Sequence, residues 1–255
     1  MKNKIIMLVG KDSSSNIMYN SLKEDFDIEK VIMEDGISKK VLLKNRIKRL
    51  GLSKVIGQIL FILFDKVYLT KSSSRHIESL KQKLQLDESE YDSSILQYVK
   101  SVNSDETLEL IKSIDPDVVV VNGTRIISEK ILSSTKATFI NTHMGITPKY
   151  RGTHGGYWAL TQKDPENCGV TVHLVDKGID TGGILYQDSI KIDKNDSYNS
   201  YPYHLIAKAR PLMKSAINDV INDDIKIKYR KDINSMIWSH PTIIEYIKYR
   251  FDGVK

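Results

Sequence analysis

The chain is nearly devoid of cysteine. Of 255 residues only Cys168 carries a thiol, which excludes an internal disulfide and any multi-cysteine zinc or iron–sulfur centre. A lone thiol fits a reducing compartment. Glycine and proline together number 20, too few for a collagen-like or low-complexity chain. Long hydrophobic runs are missing as well. The longest, Ile59 to Phe64, falls far below the roughly 18 residues that a membrane span needs. The stretch from Met1 to Val9 is basic and then apolar. Its apolar part is shorter than a signal-peptide core, and no small-residue cleavage site follows. The expectation is a soluble, cytoplasmic protein. The six histidines show no H-x-x-x-H pair and no carboxylate spacing typical of zinc, so no metal is expected.

What is present is an ordinary globular composition, 40 % apolar and 27 % charged, which rules out disorder as the main state. The net charge of +6 is unevenly spread. Seven cations (Lys39, Lys40, Lys44, Arg46, Lys48, Arg49 and Lys54) and no acids lie between Gly36 and Phe64. The rest of the chain is close to neutral. Three readings of this basic segment stand open: a solvated helix face, an attractor for a dianionic sugar nucleotide, or a contact with a membrane surface or partner, since Val55 to Leu69 brings apolar bulk beside the charge. A basic nucleic-acid-binding module is a further function of a different class. It requires aromatics among the cations, and residues 36–60 contain none.

The pattern of elements is α/β. Lys4–Val9 reads as a strand, followed by a Gly/Ser turn and a helix through Leu22. Glu29–Met33 reads as a second strand, residues 38–69 as mainly helical, 71–87 as loop plus helix, and Glu106–Ser113 as a helix. Val118 to Val121 are four β-branched residues between turn signals, the mark of a strand buried on both faces. Short strands follow at Ala137–Asn141, Val170–Val175 and Ile184–Ile190. A long helix covers Tyr201–Asn222 and a short one Thr242–Tyr249. No repeat, linker or second core is evident. The expected architecture is a Rossmann-like, mostly parallel twisted sheet with helices on both faces, whose ligands sit at the carboxyl ends of the strands.

Two stretches carry chemistry. In Asn141-Thr142-His143 the period of two puts an amide and an imidazole on one face of a strand end. Together they suit an oxygen that gains negative charge, and the imidazole can move a proton near neutral pH. Alternatively His143 simply caps the strand and bonds the next loop. In Gly178-Ile179-Asp180-Thr181-Gly182-Gly183 a carboxylate sits in a turn between strands. It can orient an imidazole, or serve as a turn aspartate bonding its own backbone. His154 and His173 can approach the same place.

Asn141, His143, Pro148, Gly152 and Asp180, in that order, resemble the signature of the formyltransferases that use N10-formyltetrahydrofolate. The likeness runs from about Asp115 to Gln187. It implies the catalytic fold and assigns Asn141, His143 and Asp180 as the catalytic residues, with Asp180 orienting His143. It implies that Asn122, Gly123, Thr124, Arg125, Ile126 and Asp176 hold the folate co-substrate. On the acceptor side it points to Gly10, Lys11 and Ser13 in the Ser-rich turn, and to Lys149, Tyr150, Arg151, His154 and Tyr157. Tyr157 and Trp158 divide into an open case and a core residue. The run from Gly145 to Gly152 and the His154-Gly155-Gly156-Tyr157 run look most like the sugar N-formyltransferases of surface-polysaccharide and O-antigen synthesis, acting on GDP-perosamine or a dTDP-linked 4-amino sugar. Glycinamide ribonucleotide formyltransferase is the alternative. Methionyl-tRNA formyltransferase fits less well, because only about 65 residues follow Ile190. On this reading residues 1–195 form the catalytic domain with an inserted segment near 36–90, and 196–255 a C-terminal helical extension packed on it. A homodimer is expected from the family, with Ile237-Trp238 and Ile243 to Tyr249 as apolar surface for it. Asn141→Ala, His143→Ala and Asp180→Ala are each expected to cut turnover by on the order of 10²-fold or more while the fold survives; near-normal turnover in any one removes that residue from the mechanism.

Overall fold

The computed structural model describes residues 3–255; Met1 and Lys2, which open the basic start, lie outside the described residues. In chain order the elements are β1 (Ile5–Val9), α1 (Ser13–Leu22), β2 (Ile28–Glu34), α2 (Lys39–Leu50), α3 (Leu52–Phe64), a π-helical turn (Asp65–Leu69), α4 (Thr70–Lys83), β3 (Leu96–Val99), α5 (Asp105–Ile114) and β4 (Val118–Asn122). Then come α6 (Glu129–Leu132), β5 (Thr138–His143), β6 (Arg151–Gly152), α7 (Gly155–Thr161), β7 (Gly169–Leu174), β8 (Ile184–Ser189), α8 (Tyr201–Ile221), β9 (Ile237–Trp238) and α9 (Ile243–Phe251).

Seven strands form one sheet in the order β3-β2-β1-β4-β5-β7-β8. The first five run parallel, and β7 and β8 are antiparallel additions. The expected mostly parallel sheet is what the chain builds. The valines of β4 split as their pleat demands. Val118 and Val120 join Met7 and Ile140 in a core covered by α1 and α8. Val119 and Val121 join Ile6, Leu8 and Ile32 in a second core under α5. After β1 the chain winds out to β2 and β3, then returns to β4 on the other side of β1. The crevice at the carboxyl ends of β1 and β4 is therefore a switch point, where doubly wound sheets place ligands.

Helix ends follow local chemistry. Asp12 caps α1 by accepting from the Ser15 amide, and Thr242 and Glu245 close a reciprocal capping box on α9 at 2.8 and 3.1 Å. The segment near 36–90 is largely helical: α4 supplies the helix expected within residues 71–87 and runs from Thr70 to Lys83. It is pinned to the body by Phe61, which packs edge-on against Tyr198 at 5.0 Å. His76 and His204 add to this by sharing Asp196 Oδ1 at 2.9 Å each, which ties α4 to α8.

The C-terminal residues contribute to the core. α8 places Leu205, Ile206, Ala209 and Met213 inside the main core. Trp238 is not free apolar surface for a dimer. Its indole stacks on Trp158 at 4.7 Å and donates to the Lys149 carbonyl. Trp158, itself buried, confirms its core assignment. Leu8→Ala, in a fully buried strand position, is expected to cost about 2–5 kcal/mol, whereas Leu60→Ala, at a half-exposed one, stays within about 0.5 kcal/mol. Urea midpoints at unchanged slope will show the difference.

Candidate functional site

β5 ends at the carboxyl edge of the sheet. Its alternation turns Asn141 and His143 to one face, and the antiparallel β7 sets His173 directly opposite Asn141. The turn after β7 then brings Asp180 beneath the imidazoles. Asp180 Oδ2 lies 3.3 Å from His143 Nδ1 and accepts the Gly152 amide at 3.0 Å. Its Oδ1 is 3.7 Å from His173 Nε2. The turn is held by Arg151, which donates to the Ile179 carbonyl at 3.1 Å. Asp180 has a left-handed backbone, φ 51°, which an Asp tolerates better than most side chains. The alternative role of turn aspartate falls to its neighbour: Asp176 accepts the Gly178 amide at 3.0 Å and the Thr181 hydroxyl at 2.7 Å.

The hydrogen bonds assign the protons. His173 Nδ1 donates to the Leu174 carbonyl at 2.7 Å, and its Nε2 lies 3.1 Å from the Asn141 amide nitrogen. The amide keeps a second N–H. His143 Nε2 donates to the Tyr150 carbonyl at 2.7 Å, which also realises the loop-bonding role considered for this residue. Its Nδ1 is left facing Asp180. Burial pushes the His143 pKa down, against the pull of Asp180 and the Tyr150 carbonyl. With Nε2 engaged by the Tyr150 carbonyl, Nδ1 is the nitrogen placed to exchange a proton beside the carboxylate. Burial on its own raises the Asp180 carboxyl, but His143, His173 and the Gly152 amide outweigh it and hold the group down at about 2. Its charged form supports the fold above the ordinary 3.8, and that support fades only as pH falls toward 2.

Two cavities meet along Gly123, Thr142, Gly152, Thr153 and His240. The first, about 440 Å³, contains Asn141, His143, His173 and Asp180, and is walled by Val121, Ile127, Val175 and Ile179. The second, about 750 Å³, lies over α1 and α7 and is lined by Ser13, Phe61, Tyr157, Tyr198 and Tyr203. Two buried hydroxyls at the second cavity, Thr142 Oγ1 and Tyr157 Oη, have no hydrogen-bond partner.

The structure sorts the residues singled out in the sequence. Gly123, Thr124, Arg125, Ile126 and Asp176 line the first cavity. Ser13, Asn122, His154 and Tyr157 line the second. Five others line neither. Lys149 and Tyr150 are corrected most plainly: both side chains are spent on Asp164 Oδ2, at 2.5 and 2.6 Å. Lys11 pairs with Asp35 at 2.7 Å. Gly10 is a contact point between loops, where a Cβ would lie 2.2 Å from the Gly123 carbonyl oxygen. Arg151 holds the Asp180 turn. Residues not assigned to the site from the sequence complete the first cavity: Gln58 from α3, Trp238 to His240 from the C-terminal end, and Arg46 and Arg49 from the basic segment, for which attraction of an anion was one of three open readings. The C-terminal residues among them arrive through a two-residue parallel bridge between β6 and β9, too short to read from a pattern. Among the described residues, no cluster of three or more His, Cys, Asp or Glu side chains is arranged for a metal, and no helix is long and apolar enough to cross a membrane.

Comparison with known proteins places this geometry. The family model described as formyl transferase matches residues 65–217. A methionyl-tRNA formyltransferase from Clostridium tetani is 33 % identical over 142 residues, covering 55 % of this chain and 46 % of that protein. The chain spans about half the length, or less, of the curated relatives it matches. Among solved structures, phosphoribosylglycinamide formyltransferase from Anaplasma phagocytophilum superposes with a TM-score of 0.58 at 15 % identity, covering 94 % of this chain and 100 % of that one. The sugar 3N-formyl transferase WlaRD, solved in the presence of dTDP and 5-N-formyl-THF, gives 0.54 at 20 % identity and covers 94 % and 70 %. The fold is thus the formyltransferase one.

Where the cavities meet, His154 Nε2 lies 2.8 Å from the Tyr198 hydroxyl and 2.9 Å from His240 Nδ1. Burial pushes His154 down to about 3, helped by His240. Burial, helped by Arg46, pushes His240 down to about 4. Below the ordinary value of 6.5 the unfolded chain takes up protons on both rings while the folded chain does not, so stability falls with pH through this window. At pH 5 the loss is roughly 1–2 kcal/mol per ring. His154→Asn with His240→Gln is expected to flatten the fall in melting temperature between pH 7 and pH 4; an unchanged slope refutes this origin.

Proposed function

The chain belongs to the formyl transferase family, and from that premise we propose that it transfers a formyl group from N10-formyltetrahydrofolate to the amino group of a nucleotide-linked 4-amino-4,6-dideoxy sugar, as in surface-polysaccharide synthesis. The observation that carries the reading is the position of Asn141, His143 and Asp180 in one cavity, which adjoins a second along Thr142 and Gly152. A two-substrate transfer needs such an arrangement.

The first cavity suits the folate. Its volume lies in the range that holds small cofactors. Val121, Ile127, Val175 and Ile179 offer apolar walls to a flat ring. Arg46 and Arg49 offer cations to the carboxylates of its tail. When bound, the folate supplies an activated formyl carbon. The free N–H of Asn141 donates to the formyl oxygen as charge builds on it. The Nδ1 of His143 would take the proton released by the attacking amine, Asp180 stabilising the imidazolium so formed, and would return it to N10 as the bond from the formyl carbon to N10 breaks and tetrahydrofolate leaves.

The second cavity suits a sugar. The unpartnered hydroxyls of Thr142 and Tyr157 are costly to leave unmatched, and hydroxyls on an acceptor would match them. Asp12 and Asp65 favour an amine, and no lysine or arginine is among the described lining residues. The phosphates of a sugar nucleotide would accordingly lie toward its mouth. The dTDP present with WlaRD supports a nucleotide-linked acceptor. A second reading, an aminoacyl-tRNA acceptor, is favoured by the methionyl-tRNA formyltransferases among the sequence relatives.

The test is a mass assay with N10-formyltetrahydrofolate and a panel of amines: GDP- and dTDP-linked 4-amino sugars, a UDP-linked amino sugar, glycinamide ribonucleotide and methionyl-tRNA. Gain of one formyl group on a sugar nucleotide is expected. Gain only on glycinamide ribonucleotide or only on the tRNA overturns the sugar reading. With the sugar acceptor, Tyr157→Phe is expected to raise KM about three- to tenfold with little change in kcat, the loss of one hydrogen bond; an unchanged KM removes this hydroxyl from the acceptor site.

A further inference from the structure

We propose that the outer face of α2 and α3, continued by α9, docks on an anionic phospholipid surface. The proposal goes beyond the catalytic reading and does not depend on which acceptor is used.

α3 is apolar on both sides, and its core needs only one. Val55 and Phe61 point inward and are buried, while Gln58 is held by the His240 carbonyl and the Ser239 hydroxyl. Leu52, Ile56, Ile59, Leu60, Leu63 and Val67 are exposed, Leu52 at 59 % and Val67 at 65 %. Their spacing of four, three, one, three and four residues forms one stripe along the helix and its π turn. α2 adds Val41, Leu42 and Leu43, and none of its residues is buried. α9 packs against α3 and contributes Ile244, Ile247 and Phe251, the last 88 % exposed. Phe251 and Tyr68 border one groove, so the α9 surface continues that of α3. A monomeric soluble protein rarely exposes apolar area of this extent without a use for it.

The charge selects the occupant. Of the seven cations in residues 37–64, Arg46 and Arg49 turn to the first cavity and Lys54 lies 3.9 Å from Glu245, while Lys39, Lys40, Lys44 and Lys48 are exposed on α2. A row of apolar side chains edged by Lys and Arg is the chemistry of a helix lying in a membrane interface, and each cation near an anionic bilayer adds to binding. Tyr68 and Phe251 are aromatic and exposed, suited to the headgroup level. A two-fold contact with a second copy would oppose these cations with their own equivalents. A polyanion such as RNA would match the charge but leave the apolar row in water. The inner side of α3 lines the acceptor-side cavity through Phe61 and Ile62, so docking would set that cavity wall at the membrane surface.

The experiment is flotation of the full chain with vesicles of phosphatidylcholine alone or with one-third phosphatidylglycerol. Binding is expected to the anionic vesicles at low salt, to fall about tenfold or more without phosphatidylglycerol, and to weaken at high salt. Two variants separate the contributions: Leu52→Glu with Leu60→Glu and Leu63→Glu, and Lys39→Gln with Lys40→Gln, Lys44→Gln and Lys48→Gln. Apart from the half-buried turn at residues 46 and 47, these faces are exposed, so neither set should disturb the fold, which circular dichroism checks. Each is expected to reduce vesicle binding about tenfold or more. No flotation at low salt, or flotation that both sets leave unchanged, overturns the proposal. So does a dimer in lipid-free sedimentation velocity that the leucine set converts to monomer. Binding of bulk tRNA that survives the leucine set, with vesicles left bare, assigns the face to nucleic acid instead.

Discussion

Asp180 holds a negative charge in a largely enclosed place, and the groups that make this possible organise the site. An unpaired buried carboxylate would be too costly to keep ionised. Here it has the Gly152 amide, His143 and, farther off, His173. Each of these must itself be held. His173 is fixed by the pairing of β7 with β5. Gly152 lies in β6, where a Cβ would sit 2.3 Å from the Trp238 carbonyl oxygen, so only glycine lets the C-terminal strand approach. Trp238 in turn stacks on Trp158 in α7. The charge on one carboxylate thereby connects the sheet to the last fifth of the chain.

The helices between β2 and β3 have two tasks. Their inward face closes the site: Gln58 reaches Ser239 and His240, and Phe61 fills the space beside Tyr198 and Tyr246. Their outward face keeps hydrophobic bulk that the core does not use. Natural helices at a protein surface carry an apolar stripe on one side. α3 carries it on both, and that excess is what separates it from α5, where Leu108, Ile111 and Ile114 are buried, Leu110 packs beside them and no large hydrophobic is exposed.

Much of the fold was legible because its signals are local. Val118 to Val121 announced a strand covered on both faces, and the two cores divide those valines as the pleat requires. β3 was missed. Its four residues, Leu96 to Val99, pair on one edge only and make too short a period to register. The same contrast governs the site. Asn141 and His143 share a strand and Asp180 sits in a marked turn, which made each a candidate, and the formyltransferase resemblance joined the three. Lys149 and Tyr150 looked equally conspicuous, yet Asp164, 14 residues beyond Tyr150, takes both side chains.

By itself, then, the sequence determined what period and local chemistry control: the strand and helix pattern, the doubly wound architecture, the amide–imidazole face and the concentration of cations in one segment. Only the tertiary structure decided which polar residues are available to a ligand and which are consumed by each other. It alone brought Arg46, Gln58 and His240 to the cavity and set His173 against Asn141. The reason is physical. Backbone periodicity acts over a few residues, whereas a buried polar group takes whichever partner the folded chain delivers, at any separation along it.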